Sequence, residues 1–208
     1  MPAIRAVIFD CDGVMFDSRK ANEAYYNRIL KQFGLPPLNA EQMGYVHQST
    51  AAQALRMLFP EDADLKRAVD FTKKLTYFPF IGLMEPEPHL KELLLRLRPR
   101  YKTAISTNRS DTMGHVLEAH GLSGLFDCVV TSLDVPRPKP HPDPLLKALE
   151  LLCLEPEEAI YIGDSPVDQE AAAACGVPFA GYANPSLSAR WHLDSLAQVD
   201  DILNGKGA

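Results

Sequence analysis

The 208-residue sequence has no apolar run that approaches the roughly 20 residues needed to cross a bilayer. Its opening stretch, MPAIRAVIFDCDG, has no signal-peptide pattern, because the apolar segment 6–9 is short and carboxylates follow it at once. We therefore expect a cytoplasmic chain with no membrane partner.

The sequence is also poor in cysteine and has no excess of basic residues. It has four cysteines, none of them in a CxxC pair or a Cys/His cluster, so a zinc site of that kind is excluded. We expect all four to be buried free thiols, as is usual in a reducing compartment. The formal net charge is −6, which argues against a nucleic-acid partner because nucleic-acid binders normally present a basic face.

Five short apolar runs predict buried strands, and they are 4–9, 103–105, 128–130, 159–162 and 177–180. Each run is continuous rather than alternating, as expected when helices cover both faces of a sheet. Amphipathic helical patterns separate the later runs. The sequence therefore predicts an α/β fold whose core is a doubly wound parallel sheet.

Residues 18–84 interrupt this alternation with three helical stripes and no convincing strand. The stripes begin at Tyr26, Ala51 and Leu65. We predict that 1–17 and 85–208 form the α/β core and that 18–84 form an inserted helical cap.

Four polar segments follow the predicted strands, and parallel strands bring such segments to one sheet edge, where open α/β sheets bind ligands. They are 10–13 (DCDG), 106–108 (STN), 137–140 (RPKP) and 163–168 (GDSPVD). The first lacks the GxGxxG pattern of a dinucleotide site, which excludes that class of oxidoreductase. Together they provide several carboxylates, a hydroxyl and a lysine.

This combination of groups suits phosphoryl transfer. Carboxylates gathered at one site repel each other, and oxygen-only ligands favour Mg²⁺ as the cation that offsets their charge. A fixed lysine and a hydroxyl can bind the phosphoryl oxygens, and an aspartate can attack phosphorus.

In these four motifs, present in order, the chain resembles the phosphatase branch of the haloacid dehalogenase superfamily. The resemblance implies a nucleophile at Asp10 and a general acid/base at Asp12. It implies phosphate binding by Thr107, with Asn108 beside it, and by Lys139. It further implies Mg²⁺ binding by the Asp10 and Asp164 carboxylates and the Asp12 backbone carbonyl, with Asp168 supporting the metal site or the lysine.

The helical insert resembles the subfamily that includes phosphoglycolate phosphatases and β-phosphoglucomutases. The function implied is a Mg²⁺-dependent phosphatase that hydrolyses a small phosphorylated metabolite through an aspartyl-phosphate, in a monomer or homodimer. A phosphotransferase of the β-phosphoglucomutase type and a pyrophosphatase are alternatives that the motifs leave open. A non-catalytic regulatory protein is disfavoured, because every expected reactive residue is present.

Four residues keep more than one interpretation. His47 and Gln48 lie in a polar turn expected between two cap helices, which resembles the place where relatives carry specificity residues, although a plain helix cap is the more common explanation. Arg109 is either a substrate contact or a solvated residue near a helix start. Asp164 could also cap the helix that follows it.

Overall fold

The computed structural model describes residues 3–205 and divides the chain into two compact units. One unit contains the chain up to Phe16 and from Pro86 onward, and the other contains Asp17–Glu85. Residues 1–2 and 206–208, which the sequence assigns to the core, lie outside the described residues. That the first unit is a catalytic core and the second its cap stays a prediction.

In chain order the strands are β1 (Ala6–Phe9), β2 (Phe16–Asp17), β3 (Glu85–Pro86), β4 (Lys102–Ser106), β5 (Cys128–Val130), β6 (Ala159–Gly163), β7 (Phe179–Tyr182) and β8 (Trp191–Leu193). The α-helices are α1 (Arg19–Gln32), α2 (Ala40–Gln48), α3 (Ala51–Leu58), α4 (Asp62–Thr72), α5 (Phe78–Ile81), α6 (Leu90–Leu97), α7 (Met113–Ala119), α8 (Asp143–Leu152), α9 (Pro166–Cys175) and α10 (Val199–Leu203). Short 3-10 helices span Pro156–Glu158 and Leu196–Gln198.

The first unit is built on a six-stranded sheet in the order β5-β4-β1-β6-β7-β8. Every neighbouring pair in it is parallel. The chain starts in the middle at β1, runs outward through β4 to β5, and returns to the other side of β1 through β6. This confirms the predicted α/β class with a doubly wound parallel sheet, and it makes the carboxyl end of β1 the point where the winding direction reverses.

Burial explains why the short apolar runs form these strands. All four residues of β1 and all five of β6 are buried. One sheet face packs with α8 and α9 in a cluster that includes Ile8, Ala104, Leu145 and Ala171. The alternate strand residues face the other side, and α6 packs against β4 and buries Leu90, Leu93, Leu94 and Leu97.

Two sequence expectations for this unit need correction. The edge strand β8 was not predicted, because it has only three residues and one of them, His192, is exposed. All four cysteines are free, as expected, but only Cys11 is buried, since Cys128 and Cys175 are partly buried and Cys153 is exposed. It ends α8 in the left-handed conformation, with φ of 54°.

The second unit is helical and has its own apolar cluster. The cluster contains residues from the three predicted stripes: Tyr26, Ile29, Leu30, Ala54, Leu55, Leu58 and Ala68. The unit has five helices rather than the three expected, and the two that were not predicted are α2 and α5. The polar segment expected as a turn is therefore partly helical. His47 and Gln48 end α2, and Thr50 caps α3 through a reciprocal pair of hydrogen bonds with Gln53.

Within residues 3–205, none of the helices is both long enough and apolar enough to serve as a membrane span.

Helix α6 allows a test of the packing on one side of the sheet. Leu93→Ala removes a fully buried side chain, and we expect it to lower the free energy of unfolding by about 2–5 kcal/mol through lost burial and a residual cavity. Leu95→Ala is the matched control, because Leu95 lies in the same helix but is 55% exposed, and it should change stability by less than about 0.5 kcal/mol. Chemical denaturation measures both. Equal effects would contradict the described packing of α6.

Candidate active site

Three polar loops start where central strands end. Asp10 follows β1, and its backbone N–H donates to the carbonyl of Ile162 in β6 (2.9 Å). Thr107 follows β4, and its N–H donates to the carbonyl of Val130 in β5 (3.0 Å). Asp164 follows β6 directly. The backbone of Asp10 and Thr107 thus continues the sheet pairing, and all three residues lie at the carboxyl edge of the sheet.

Lys139 connects these loops, although its own loop follows β5 by several residues. Its Nζ donates to Oδ1 of Asp10 (2.7 Å), to Oδ1 of Asp168 (2.6 Å) and to the hydroxyl of Tyr161 (2.8 Å). The side chain is only 2% exposed. Burial alone would lower the pKa of Lys139, but Asp10 and Asp168 outweigh it and hold that pKa above its ordinary value. The lysine therefore stays protonated inside the site.

Asn108 fixes the backbone of the lysine. Its amide nitrogen donates to the carbonyl of Lys139 (3.1 Å), and its amide oxygen accepts from the N–H of Lys139 (3.0 Å). In the structure Asn108 therefore positions Lys139, and the predicted contact of Asn108 with phosphate stays a prediction.

Asp168 is fully buried and supports the lysine. Its Oδ1 accepts from Lys139 and from the hydroxyl of Tyr161 (2.6 Å). Its Oδ2 accepts from the N–H (3.2 Å) and the hydroxyl of Ser165. Ser165, rather than Asp164, is the residue that caps α9, which corrects one interpretation of Asp164.

Tyr161 belongs to the same network, and the sequence analysis missed it. It lies within the apolar run of β6 and is completely buried. Its hydroxyl accepts from Lys139 and donates to Asp168. Burial and the neighbouring carboxylates raise the pKa of Tyr161 well above its usual value, so the phenol stays neutral. One sequence signal could have pointed to Tyr161, namely a tyrosine in an otherwise apolar strand. A buried hydroxyl requires a polar partner, so such a tyrosine indicates polar groups nearby.

The acidic residues of the site form a potential cation site. Asp10, Asp164 and Asp168 each offer a carboxylate oxygen, and these oxygens lie within 4.8 Å of one another. Burial, against the opposing attraction of Lys139, raises the pKa of Asp10 to about 7, and Asp168 adds to the rise. Burial and the charges of Asp10 and Asp168 raise the pKa of Asp164 to about 8. A divalent cation would relieve this cost, and an all-oxygen donor set suits Mg²⁺.

Within this acidic group, Asp10 and Asp164 fit metal binding better than Asp168, whose oxygens already accept four hydrogen bonds. The Asp164 carboxylate lies against Gly13, where φ is +87° and any Cβ would overlap its oxygens. A side chain at Gly163 would likewise overlap Asp168. The two glycines thus allow these carboxylates to pack directly on backbone.

Asp12 is paired with Arg109. The guanidinium donates through Nε to Oδ2 of Asp12 (2.9 Å) and through Nη2 to Oδ1 (2.6 Å). The Arg109 side chain is 7% exposed, so it is not the solvated residue that was one interpretation of this position. Its backbone N–H donates to Oγ1 of Thr107 (3.1 Å), which ties Arg109 to the predicted phosphate-binding hydroxyl.

The two predicted specificity residues lie in the second unit. Asn22 Nδ2 and His47 Nδ1 are 3.3 Å apart, and the hydroxyl of Tyr77 donates to Oδ1 of Asn22 (2.8 Å). Gln48 is the last residue of α2. A role for His47 or Gln48 in substrate recognition stays a prediction.

Comparisons with known proteins identify the family of this chain. The family model for haloacid dehalogenase-like hydrolases matches residues 7–182. The chain is 29% identical over 180 residues to a phosphoglycolate phosphatase of Aquifex aeolicus, covering 85% of this chain and 84% of the relative. It is 27% identical over 192 residues to pyrophosphatase PpaX of Oceanobacillus iheyensis, covering 87% and 84%.

A solved structure supports the same family. A HAD-superfamily hydrolase of subfamily IA, variant 1, from Geobacter sulfurreducens is 41% identical and superimposes with a TM-score of 0.79, covering 96% of each chain. The matched residues include all four polar loops of the site. The chain therefore belongs to the haloacid dehalogenase-like hydrolase family.

Proposed function

We propose that this chain is a Mg²⁺-dependent phosphatase that hydrolyses a small phosphorylated metabolite of the phosphoglycolate class. One observation carries the proposal: a carboxylate at the end of the central strand, Asp10, lies 2.7 Å from the buried ammonium of Lys139, among further carboxylates. This arrangement supports an anionic nucleophile acting on a substrate whose own negative charge the lysine stabilises. The phosphoglycolate phosphatase relative supports the substrate class.

In the first step, a carboxylate oxygen of Asp10 attacks phosphorus and the ester P–O bond breaks. Asp12 donates a proton to the departing oxygen, so that it leaves as a hydroxyl. In the second step, Asp12 accepts a proton from water as the water oxygen attacks the same phosphorus. The bond between phosphorus and Asp10 then breaks, which releases phosphate and restores both carboxyl groups.

Two groups would hold the phosphoryl oxygens through both steps. Lys139 supplies a fixed positive charge, already immobilised by Tyr161 and Asp168. Oγ1 of Thr107 accepts from the N–H of Arg109, which orients the hydroxyl to donate its own hydrogen to a phosphoryl oxygen. Such prearranged donors stabilise the charge that develops on the transferring group.

Mg²⁺ would be held by the carboxylates of Asp10 and Asp164 and the backbone carbonyl of Asp12, where it would neutralise phosphoryl charge. Asp10 and Asp164 carry raised pKa values in the protein alone, which indicates that their joint ionisation is incomplete without added positive charge. This is the electrostatic observation that supports a cation at this place.

Metal dependence is the first test. The wild-type protein should hydrolyse para-nitrophenyl phosphate in the presence of Mg²⁺. A chelator should lower the rate by at least about 100-fold, because the metal supplies several kcal/mol of charge stabilisation. Excess Mg²⁺ should restore the rate. Undiminished turnover in the chelator would overturn the metal assignment.

The nucleophile is tested by Asp10→Asn. The amide cannot form the covalent intermediate, so kcat should fall by at least about 1000-fold. The circular-dichroism spectrum should be unchanged, since Asn has the same shape and Lys139 keeps its contact with Asp168. Asp200→Asn is the control, because Asp200 pairs with Arg96 at the surface, and it should retain full activity. Substantial turnover by a folded Asp10→Asn protein would exclude Asp10 as nucleophile.

Tyr161→Phe tests whether the Tyr161 hydroxyl holds Lys139 in position. Removing the hydroxyl takes one acceptor from Lys139 and one donor from Asp168, so kcat/KM should fall by about 10- to 100-fold as the lysine loses its fixed position. Tyr182→Phe removes a hydroxyl that lies 3.5 Å from Glu87, a residue with no role in the proposed mechanism, so it should have little effect. Equal activities of the two variants would show that Tyr161 does not position Lys139.

A substrate panel separates the alternatives. Rapid release of phosphate from pyrophosphate, with slow release from phosphate esters, would favour the activity named for the PpaX relative. A mutase of the β-phosphoglucomutase type would convert a sugar phosphate only with a bisphosphate activator. Phosphate release from a small phosphate ester without an activator supports the proposed hydrolase.

A further inference from the structure

Arg109 and Asp12 form a largely buried ion pair that uses both oxygens of the carboxylate. Both oxygens of Asp12 accept from the guanidinium, at 2.9 and 2.6 Å, and the side chains are only 7% and 13% exposed. The backbone of Arg109 is also fixed, because its carbonyl accepts from the N–H (2.9 Å) and the hydroxyl (3.1 Å) of Ser132. Arg109 is therefore an integral part of the site and not a surface residue near it.

This contact conflicts with the proposed work of Asp12. To donate a proton to the departing ester oxygen, Asp12 must turn one of its oxygens toward the substrate. In the structure each of those oxygens is bound to a different nitrogen of the same planar fork, so turning the carboxylate breaks at least one of the two hydrogen bonds. A buried guanidinium that loses its partner is costly unless another anion replaces it.

We propose that Arg109 is a specificity-determining residue that exchanges the carboxylate of Asp12 for a carboxylate of the substrate. The inference rests on the proposed phosphatase function and names its substrate class: a phosphate monoester of a small 2-hydroxy acid. When such a substrate binds, its carboxylate engages the fork and Asp12 is released toward the ester oxygen. An ester without this group leaves Asp12 paired with Arg109.

Chemistry and position both favour a carboxylate. The guanidinium fork binds carboxylates through two parallel hydrogen bonds, and Arg109 already does so with Asp12. Because Asp12 is the group that meets the ester oxygen, the guanidinium bound to it lies beside the departing part of the substrate. In a phosphorylated 2-hydroxy acid, one carbon separates the ester oxygen from the carboxylate, so both groups can meet this pair of residues.

The test compares two substrates that differ only in this group, 2-phosphoglycolate and 2-hydroxyethyl phosphate, with the full chain and Mg²⁺. The wild-type kcat/KM should be at least about tenfold higher for the acid, because only the acid replaces Asp12 on the fork. In Arg109→Gln this ratio should fall to about one, mainly through a higher KM for the acid. Arg109→Lys, which keeps the charge without the fork, should restore the ratio only in part.

Arg96→Gln is the matched control, because the guanidinium of Arg96 also donates two hydrogen bonds to an aspartate, Asp200, but at the surface. It should keep the wild-type ratio. A wild-type preference for 2-hydroxyethyl phosphate would overturn the inference and leave the hydrolysis of phosphate esters intact. So would an Arg109→Gln protein that loses activity equally on both esters.

A binding measurement separates failure of the inference from failure of the proposed function. Calorimetry with the Asp10→Asn protein should show tighter binding of 2-phosphoglycolate than of 2-hydroxyethyl phosphate, and adding Arg109→Gln should remove the difference. Equal affinities would overturn the carboxylate assignment alone. A wild-type chain that hydrolyses neither ester, with an Asp10→Asn protein that binds neither, would overturn the phosphatase function and this inference together.

Discussion

The site depends on the burial of one positive charge. An ammonium that is 2% exposed is strongly destabilising unless it is fully compensated, and Lys139 is compensated by Asp10, Asp168 and the hydroxyl of Tyr161. These partners come from different elements, so the lysine ties the loops after β1 and β5 to the middle of β6 and to the first turn of α9. The same contacts that satisfy the buried charge therefore fix the geometry of the proposed nucleophile.

The balance of charge in the site supports the proposed divalent cation. With all four aspartates of the site ionised, four negative charges face two positive ones, from Lys139 and Arg109, which leaves an excess of 4 − 2 = 2. Burial first, and the neighbouring carboxylates after it, raise the pKa values of Asp10 and Asp164 in the protein alone. The proposed Mg²⁺ ion would carry the missing charge, and together with the lysine it would offset the charge of a substrate phosphate.

The sequence predicted some elements well because their signals are local. Continuous apolar runs located β1, β4, β5, β6 and β7, since strands covered on both faces consist mainly of apolar residues. The edge strand β8 gave no such signal, because it is short and includes the exposed His192. Helix α2 was missed because only Val46 among its residues is buried, so it has no apolar stripe.

The sequence by itself determined the chemistry at the sheet edge: two aspartates after the first strand, a threonine after the next, a lysine among prolines, and an aspartate after a glycine. Only the tertiary structure decided the pairing of these groups. Lys139 meets Asp10 across 129 positions and Arg109 meets Asp12 across 97, and the hydroxyl of Tyr161 finds its partners outside its own strand. The local hydrophobic pattern predicts which residues are buried, because apolar residues follow the repeat of the strand or helix that contains them. The partner of a buried charge is set by how distant strands pack, which no local pattern encodes.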